Sequence, residues 1–175
     1  KNIIPDGSHH QKYKAILATI ADLAKSTKGK DGKLVPMIFR PYHEFDGYWF
    51  WWGKPYCSVE EFKNLWQFTV TYLRDSLGVH NFIYAFSPDN TFGTEAEFLE
   101  RYPGNDFVDM VGMDNYKDFG RYGKYNLDSG MLKLKIVSNF AKKAGKLAAF
   151  TETGLESIPN TTWWTETLLK SLQKQ

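Results

Sequence analysis

Residues 34–53 read LVPMIFRPYHEFDGYWFWWG, a compact apolar run that ends at an arginine and is followed by a histidine, a glutamate and a group of aromatic residues. The run over residues 34–39 is typical of a strand that is buried on both faces. Folding alone does not require Arg40, His43 and Glu44 to follow such a strand directly. The stretch therefore predicts a buried strand whose C-terminal end carries functional side chains.

Three further apolar runs follow the same plan, each ending in polar residues. The additional strand candidates are residues 82–86, 107–113 and 147–150, and the polar residues that follow them include Asp89, Asp114 and Glu152. Helical patterns lie between the runs, so the chain repeats a strand-then-helix unit four times. This order predicts a parallel sheet with helices outside, and a site at the C-terminal ends of the strands.

The helical segments have recognisable start signals. Ser8 with Gln11, and Ser58 with Glu61, form capping-box patterns, and Asp128 is a candidate cap for a later helix. A last helix is expected to begin at Thr161 or Thr162 and to run through Leu172. The residues expected to face inward are Tyr13, Ile16, Leu17, Ile20 and Leu23 in the first helix, and Leu132, Ile136, Val137, Phe140 and Ala144 in the third.

Length and composition indicate one globular domain spanning residues 1–175, with 42% hydrophobic and 24% charged residues. The net charge of +2 is spread along the chain, which disfavours nucleic acid and anionic membranes as partners. No apolar run is long enough for a membrane span. The single cysteine, Cys57, excludes an intrachain disulfide framework.

The strand count does not fit a closed barrel, which typically needs eight strands and about 250 residues. Four strands would leave two sheet edges and much apolar surface exposed. The chain is therefore either an open α/β sandwich of modest size or part of a (β/α)8 TIM barrel, and we favour a partial barrel covering about half to two-thirds of that fold.

Two carboxylates are the strongest candidates for catalysis. A glycosidic bond is cleaved by a pair of Asp or Glu residues, one acting as the acid and the other as a base or nucleophile. Glu44 follows His43 among aromatic residues, and partial burial there would keep its proton available. Glu152 lies between two threonines before a glycine, a more polar setting that suits an ionised nucleophile. The alternative is that each is an ordinary surface charge at a strand end.

Six further residues are candidates for binding the substrate. They are Arg40, His43, Trp49, Asp114, Tyr116 and Trp163. Arg40 would orient a carboxylate or form a structural ion pair, and the hydroxyl of Tyr116 would lie against the nucleophile or half in the core. His43 would bond a sugar hydroxyl, tune the acid or be a satisfied interior histidine. Trp49 and Trp163 would offer flat faces to sugar rings or pack inward. The sequence has no zinc-ligand spacing, nucleophile elbow or phosphate-binding loop, so we predict no metal and no cofactor.

These residues resemble glycoside hydrolase family 26, whose best-known members are β-mannanases. The resemblance rests on three segments in matching order and spacing: residues 40–53, Asp114-Asn115-Tyr116 and residues 150–154. It implies a TIM barrel in which Glu44 and Glu152 end the fourth and seventh strands as acid/base and nucleophile of a retaining mechanism. It also implies that the first three strands and the eighth are absent from this sequence, so that the fragment alone is a doubtful catalyst.

The resemblance implies a β-mannan polysaccharide or manno-oligosaccharide as substrate, and the remainder of the barrel as a partner. A polymer of this size does not enter cells, so a secreted or cell-envelope location is expected. Two alternatives stay open at this point: a related β-glycanase acting on xylan or mixed-linkage glucan, and a non-catalytic carbohydrate-binding fragment that uses the same aromatic residues.

Overall fold

A computed structural model of the protein describes residues 2–173. Four parallel strands form one sheet in the order β1-β2-β3-β4. The strands are β1 (Met37–Phe39), β2 (Phe82–Phe86), β3 (Met110–Asp114) and β4 (Leu147–Glu152). The strand order follows the chain order without the reversal of a doubly wound sheet, which is the arrangement of a barrel segment.

Helices connect the strands. They are α1 (His10–Ser26), α2 (Val59–Thr71), α3 (Glu95–Phe98), α4 (Leu127–Ala144) and α5 (Lys170–Leu172). Helix α2 continues as a π-helix over Tyr72–Ser76, a 3-10 turn covers Asn105–Phe107, and a π-helix over Trp163–Leu169 leads into α5. None of the helices in residues 2–173 is long and apolar enough to cross a membrane.

One irregularity in the sheet brings two carboxylates together. The register between β3 and β4 pairs Met113 with Phe150 and then shifts, so that Asp114 lies opposite Glu152. The additional residue on β4 is Thr151, which makes this a β-bulge. Bulges re-aim side chains at strand ends, and here the bulge turns Glu152 towards Asp114.

The main core lies between the sheet and helices α1, α2 and α4. Its largest fully buried side chains include Phe62 and Trp66 of α2 and Phe86 of β2. The Trp66 indole donates to the carbonyl of Phe107 at 2.9 Å, so its polar atom is satisfied inside the core. This packing fixes the strand ends, where the polar residues lie.

The four predicted strands are confirmed, with differences in where two of them begin and in how far the edge strands are buried. Strand β1 begins at Met37 rather than at residue 34, and β3 begins at Met110 rather than at residue 107. The prediction that the first strand is buried on both faces was wrong, since Ile38 is 60% exposed. Leu147 of β4 is 53% exposed. Strands β1 and β4 are the edges of the sheet, so each lacks a neighbouring strand on one side.

The start signals were confirmed for one helix and wrong for another. Ser58 and Glu61 form the predicted capping box at α2. The predicted box at Ser8 does not form, because the Ser8 hydroxyl is hydrogen-bonded to His9 Nδ1 at 2.9 Å and α1 begins after His9 without a side-chain cap. Helix α4 begins after Asn126, so the predicted cap Asp128 lies in its first turn.

Three of the residues expected to face inward are exposed instead. They are Ile16, Leu23 and Leu132. Helix α1 buries Tyr13, Leu17, Ala21 and Ala24, a line at nearly four-residue spacing that leaves the neighbouring row of the helix uncovered. The helix α3, which begins with a capping box of Thr94 and Glu97, was not predicted.

Candidate active site

The candidate site lies at the C-terminal ends of the strands, where one arginine connects side chains from all four. Arg40, directly after β1, donates from Nη1 to Ser87 Oγ at 3.0 Å and to Asp114 Oδ2 at 2.8 Å. Its Nη2 donates to Glu152 Oε1. This double ion pair confirms the expectation that Arg40 orients a carboxylate, since its guanidinium contacts both Asp114 and Glu152.

Asp114 was wrongly predicted to bind substrate. Its side chain is completely buried, so a sugar cannot reach it. Thr151, the bulge residue, donates to Asp114 Oδ1 at 2.6 Å. Burial raises the pKa of Asp114 to about 7, against the opposing effects of Thr151 and Arg40. The carboxyl group acts as the anchor that fixes the guanidinium of Arg40.

Glu152 is held in its ionised form. Burial alone would raise the pKa of Glu152, but hydrogen bonds from Arg40 and Tyr116 and the charge of Arg40 lower it below its usual value. The Tyr116 hydroxyl donates to Glu152 Oε2 at 3.0 Å, so the predicted contact between this tyrosine and the candidate nucleophile is present. A carboxylate with one oxygen on a guanidinium and the other on a phenol is fixed in orientation as well as in charge.

A buried polar network holds the loop after β3, on which Tyr116 lies. Asn115 donates from Nδ2 to Asp118 Oδ2 at 2.9 Å, and its backbone N–H donates to the Glu152 carbonyl at 2.9 Å. Lys133 of α4 forms a 2.6 Å ion pair with Asp118. Sequence reasoning missed this pair, because two residues fifteen positions apart on a loop and a helix carry no local signal. The network ties the loop after β3 to α4.

Glu44 lies on the loop after β1, as Arg40 does. Its backbone adopts a left-handed conformation with φ 52°, as does Tyr42 with φ 53°. Such angles are uncommon outside glycine and cluster at functional sites. The Glu44 N–H donates to the Ser87 carbonyl at 3.0 Å, and the Trp49 indole donates to Glu44 Oε2 at 2.6 Å. Trp49 is 46% exposed, so its ring remains available to a ligand.

His43 lies close to Asp114 and Glu152 and is half-buried. Burial and the charge of Arg40 lower its pKa below the usual value, so the imidazole is neutral near pH 7. Its ring packs against Phe50 with 4.9 Å between centroids. The Trp52 indole donates to the His43 carbonyl at 2.8 Å. This tryptophan therefore supports the loop and packs against the core.

The predicted role of Trp163 in binding sugar was wrong. This side chain is completely buried in a second small core with Phe119, Met131 and Leu168. Its indole donates to the Phe119 carbonyl at 2.9 Å, and because the ring is completely buried, neither face is open to a sugar. The neighbouring Trp164 is 45% exposed.

A cleft and a groove of similar volume lie beside the sheet. A cleft of about 530 Å³ opens at Glu44 and Tyr116 and continues between the loops that follow β1, β2 and β3. A groove of about 490 Å³ lies between α4, β4 and α5 and is lined largely by apolar side chains. Only the first includes a candidate catalytic carboxylate.

His43, Asp114 and Glu152 also offer ligand atoms within 4.8 Å of one another, a spacing that a metal ion accepts. The Arg40 guanidinium is hydrogen-bonded to both carboxylates, so a cation there would meet a fixed positive charge. The arrangement fits an ion-pair network better than a metal centre.

Comparison with known proteins shows a single family. The profile described as Glycosyl hydrolase family 26 matches residues 1–167. A mannan endo-1,4-beta-mannosidase from Bifidobacterium adolescentis is 39% identical over 155 residues, which are 87% of this chain and 16% of that protein. The structure of GH26C from Muricauda sp. MAR_2010_75 is 50% identical with a TM-score of 0.92, and the match covers 98% of this chain and 47% of that one.

A GH26 beta-mannanase from Bacteroides ovatus gives a similar result. It is 43% identical with a TM-score of 0.91, and the match covers 99% of this chain and 49% of that one. The chain thus spans about half the length of these two structures. The expectation of an α/β fold that forms part of a barrel is confirmed by this match.

Proposed function

Since the chain belongs to glycosyl hydrolase family 26, we propose that it forms the catalytic part of a retaining endo-β-1,4-mannosidase. The observation that carries the proposal is the contrast between the two glutamates. Glu152 has two strong hydrogen-bond donors, one of them charged, which favour its ionised form. Glu44 has the neutral indole of Trp49 and opens onto the cleft.

In this proposal Glu152 attacks the anomeric carbon and forms a glycosyl ester, while Glu44 transfers its proton to the leaving oxygen. Glu44 then takes a proton from water, and that water displaces Glu152 from the sugar. Tyr116 and Arg40 hold the nucleophile in place, and the neutral His43 is available to hydrogen-bond a sugar hydroxyl. A retaining mechanism requires carboxyl groups about 5–5.5 Å apart in the complexed enzyme.

Mannan is the proposed substrate because the relatives named above are described as mannan endo-1,4-beta-mannosidase and beta-mannanase. Hydrolysis rates on mannan, xylan and mixed-linkage glucan, measured side by side, test this choice against the related β-glycanases. A polymeric substrate supports a secreted or cell-envelope location, which fractionation of the source cells would test.

The remainder of the barrel is the proposed partner of this chain. Its two edge strands expose Ile38 and Leu147, and the apolar groove beside β4 is open. Complementary strands and helices of the same polypeptide would cover these surfaces. We therefore expect the 175 residues alone to hydrolyse mannan far more slowly than the complete polypeptide. Equal rates for the two would show that no further strands are needed.

The test of the mechanism uses the complete polypeptide that contains this chain. A 2-deoxy-2-fluoro-mannosyl fluoride should label Glu152, as located by mass spectrometry of the digested protein, and NMR should show that the first product keeps its β configuration. Glu152→Gln and Glu44→Gln should each lower kcat by several powers of ten, whereas Asp22→Asn on the exposed face of α1 should not. Label on another residue, or an inverted product, would refute the assignment.

A further inference from the structure

The cleft of about 530 Å³ adjoins Glu44 and lies between the loops that follow β1, β2 and β3. Its lining includes Glu44 and Tyr116, whereas Glu152, Arg40 and His43 do not contribute to it. In a two-carboxylate mechanism the acid lies beside the leaving oxygen. A cleft that is lined by the acid and not by the nucleophile therefore lies where the leaving part of the substrate would be.

The floor of this cleft contains two neighbouring carboxylates with very different hydrogen bonding. Asp46 accepts the N–H of Asp89 at 2.7 Å, the N–H of Thr91 at 3.2 Å and the Thr91 hydroxyl at 2.5 Å. These three bonds satisfy Asp46 and join the loop after β1 to the loop after β2. Asp46 is therefore a structural residue.

Asp89 is only partly satisfied. Among the described residues, the hydrogen-bond donors of its carboxylate both come from the adjacent Asn90, the side-chain amide at 2.8 Å and the backbone N–H. Burial, followed by repulsion from Asp46 and Glu44, raises the pKa of Asp89 to about 7. A partly buried carboxylate in this state is unfavourable for folding, and such groups occur where a ligand supplies the missing donors.

The walls of the cleft are aromatic and unusually open. Tyr48 is 71% exposed and Trp49 46% exposed on the loop after β1, and Tyr122 is 71% exposed on the loop after β3. Exposed aromatic rings on both sides of a polar floor suit pyranose rings, which have apolar faces and a rim of hydroxyl groups.

We propose that Asp89 and Asn90 bind the hydroxyl groups of the leaving-group sugars, between walls formed by Tyr48, Trp49 and Tyr122. The ligand is a linear chain of at least two neutral hexopyranose units on the reducing side of the cleaved bond. The inference rests on the proposed function, because that function defines which end of the substrate departs.

The experiment compares two substrates that share the glycone and differ in the leaving group. One is mannopentaose, whose departing sugars would fill the cleft, and the other is 2,4-dinitrophenyl β-mannobioside, whose aryl group cannot make sugar contacts. Asp89→Ala and Asp89→Asn should lower kcat/KM for mannopentaose by about 10-fold to 100-fold more than for the aryl glycoside, as expected for losing a hydrogen bond to a charged group. Asp22→Asn should leave the ratio of the two values unchanged.

Each outcome decides the proposal. A loss that is equal for the two substrates, or absent for both, overturns it, because a residue that only supports folding or the nucleophile does not distinguish leaving groups. A wild-type enzyme that cleaves neither substrate contradicts the proposed function instead. Calorimetry with mannotetraose then tests the cleft separately, and equal affinities of wild type and Asp89→Ala would refute the binding role.

Discussion

Asp89→Asn should stabilise the protein at alkaline pH, although it removes a group that we propose to bind substrate. The substitution keeps an oxygen that can accept the hydrogen bond from Asn90 and removes the charge that faces Asp46 and Glu44. Burial, with repulsion from these two carboxylates, raises the pKa of Asp89 from 3.8 to about 7 in the folded protein.

The sign of the effect follows from this raised pKa. The contribution of Asp89 to folding is most favourable below its ordinary pKa and is lost as pH rises through its folded value of about 7. The full shift corresponds to at most about 4 kcal/mol, since one pKa unit is worth about 1.36 kcal/mol. Solvent contact reduces this, and we expect a gain of roughly 1–2 kcal/mol for Asp89→Asn at pH 8.

The assay is thermal unfolding of wild type, Asp89→Asn and the exposed control Asp22→Asn in the complete polypeptide at pH 4, 6 and 8. The midpoint of Asp89→Asn should exceed that of wild type by a few degrees at pH 8, and the excess should shrink towards pH 4. A gain in the unfolding midpoint that does not depend on pH, or a loss at pH 8, would show that the folded protein does not raise the pKa of Asp89.

Three other substitutions test the supports of the site. Tyr116→Phe should lower kcat by about 10-fold to 100-fold. The hydrogen bond from Tyr116 lowers the pKa of Glu152, so its removal should raise that pKa and move the acidic limb of the pH–rate profile to higher pH; an unmoved limb would contradict this. Lys133→Met should lower the free energy of unfolding by about 3–5 kcal/mol in a denaturant titration by leaving Asp118 buried and unpaired, and Asp118→Asn in the same protein should recover part of the loss. Gly112→Ala should cost about 1–3 kcal/mol and reduce kcat, because its Cβ would lie 2.6 Å from a threonine methyl on β4; an unchanged melting temperature would argue against this close contact.

Local sequence patterns predicted the four strands and the polar residues at their C-terminal ends. Each predicted strand ends at the expected polar residues, and the residues that meet at Glu152 were named correctly as Arg40 and Tyr116. The reason is geometric, since parallel strands bring their C-terminal ends to one edge whatever the details of packing.

Other features depend on contacts that no short segment encodes. The bulge at Thr151 arises from how β3 and β4 pair, and it places Glu152 opposite Asp114. The inward position of Trp163 is set by a small core formed with residues from α4 and the loop after β3. An aromatic residue at a helix start has the same sequence signal whether it packs inward or faces a ligand.

The number and charge of the hydrogen-bond donors distinguish the roles of the carboxylates in this site more clearly than their positions in the sequence do. Glu152 has a guanidinium and a phenol and is kept ionised, which suits a nucleophile. Asp46, on the loop after β1, has three donors from the loop after β2 and holds the two loops together. Among the described residues, Glu44 has only the neutral indole of Trp49 as a donor and Asp89 only the neutral N–H groups of Asn90. Both carboxylates line the cleft, so their remaining oxygen lone pairs are available to a ligand. Because a stable fold gains nothing from leaving two such carboxylates with unused acceptor positions, this pair is best explained by the hydroxyl groups of a bound sugar chain.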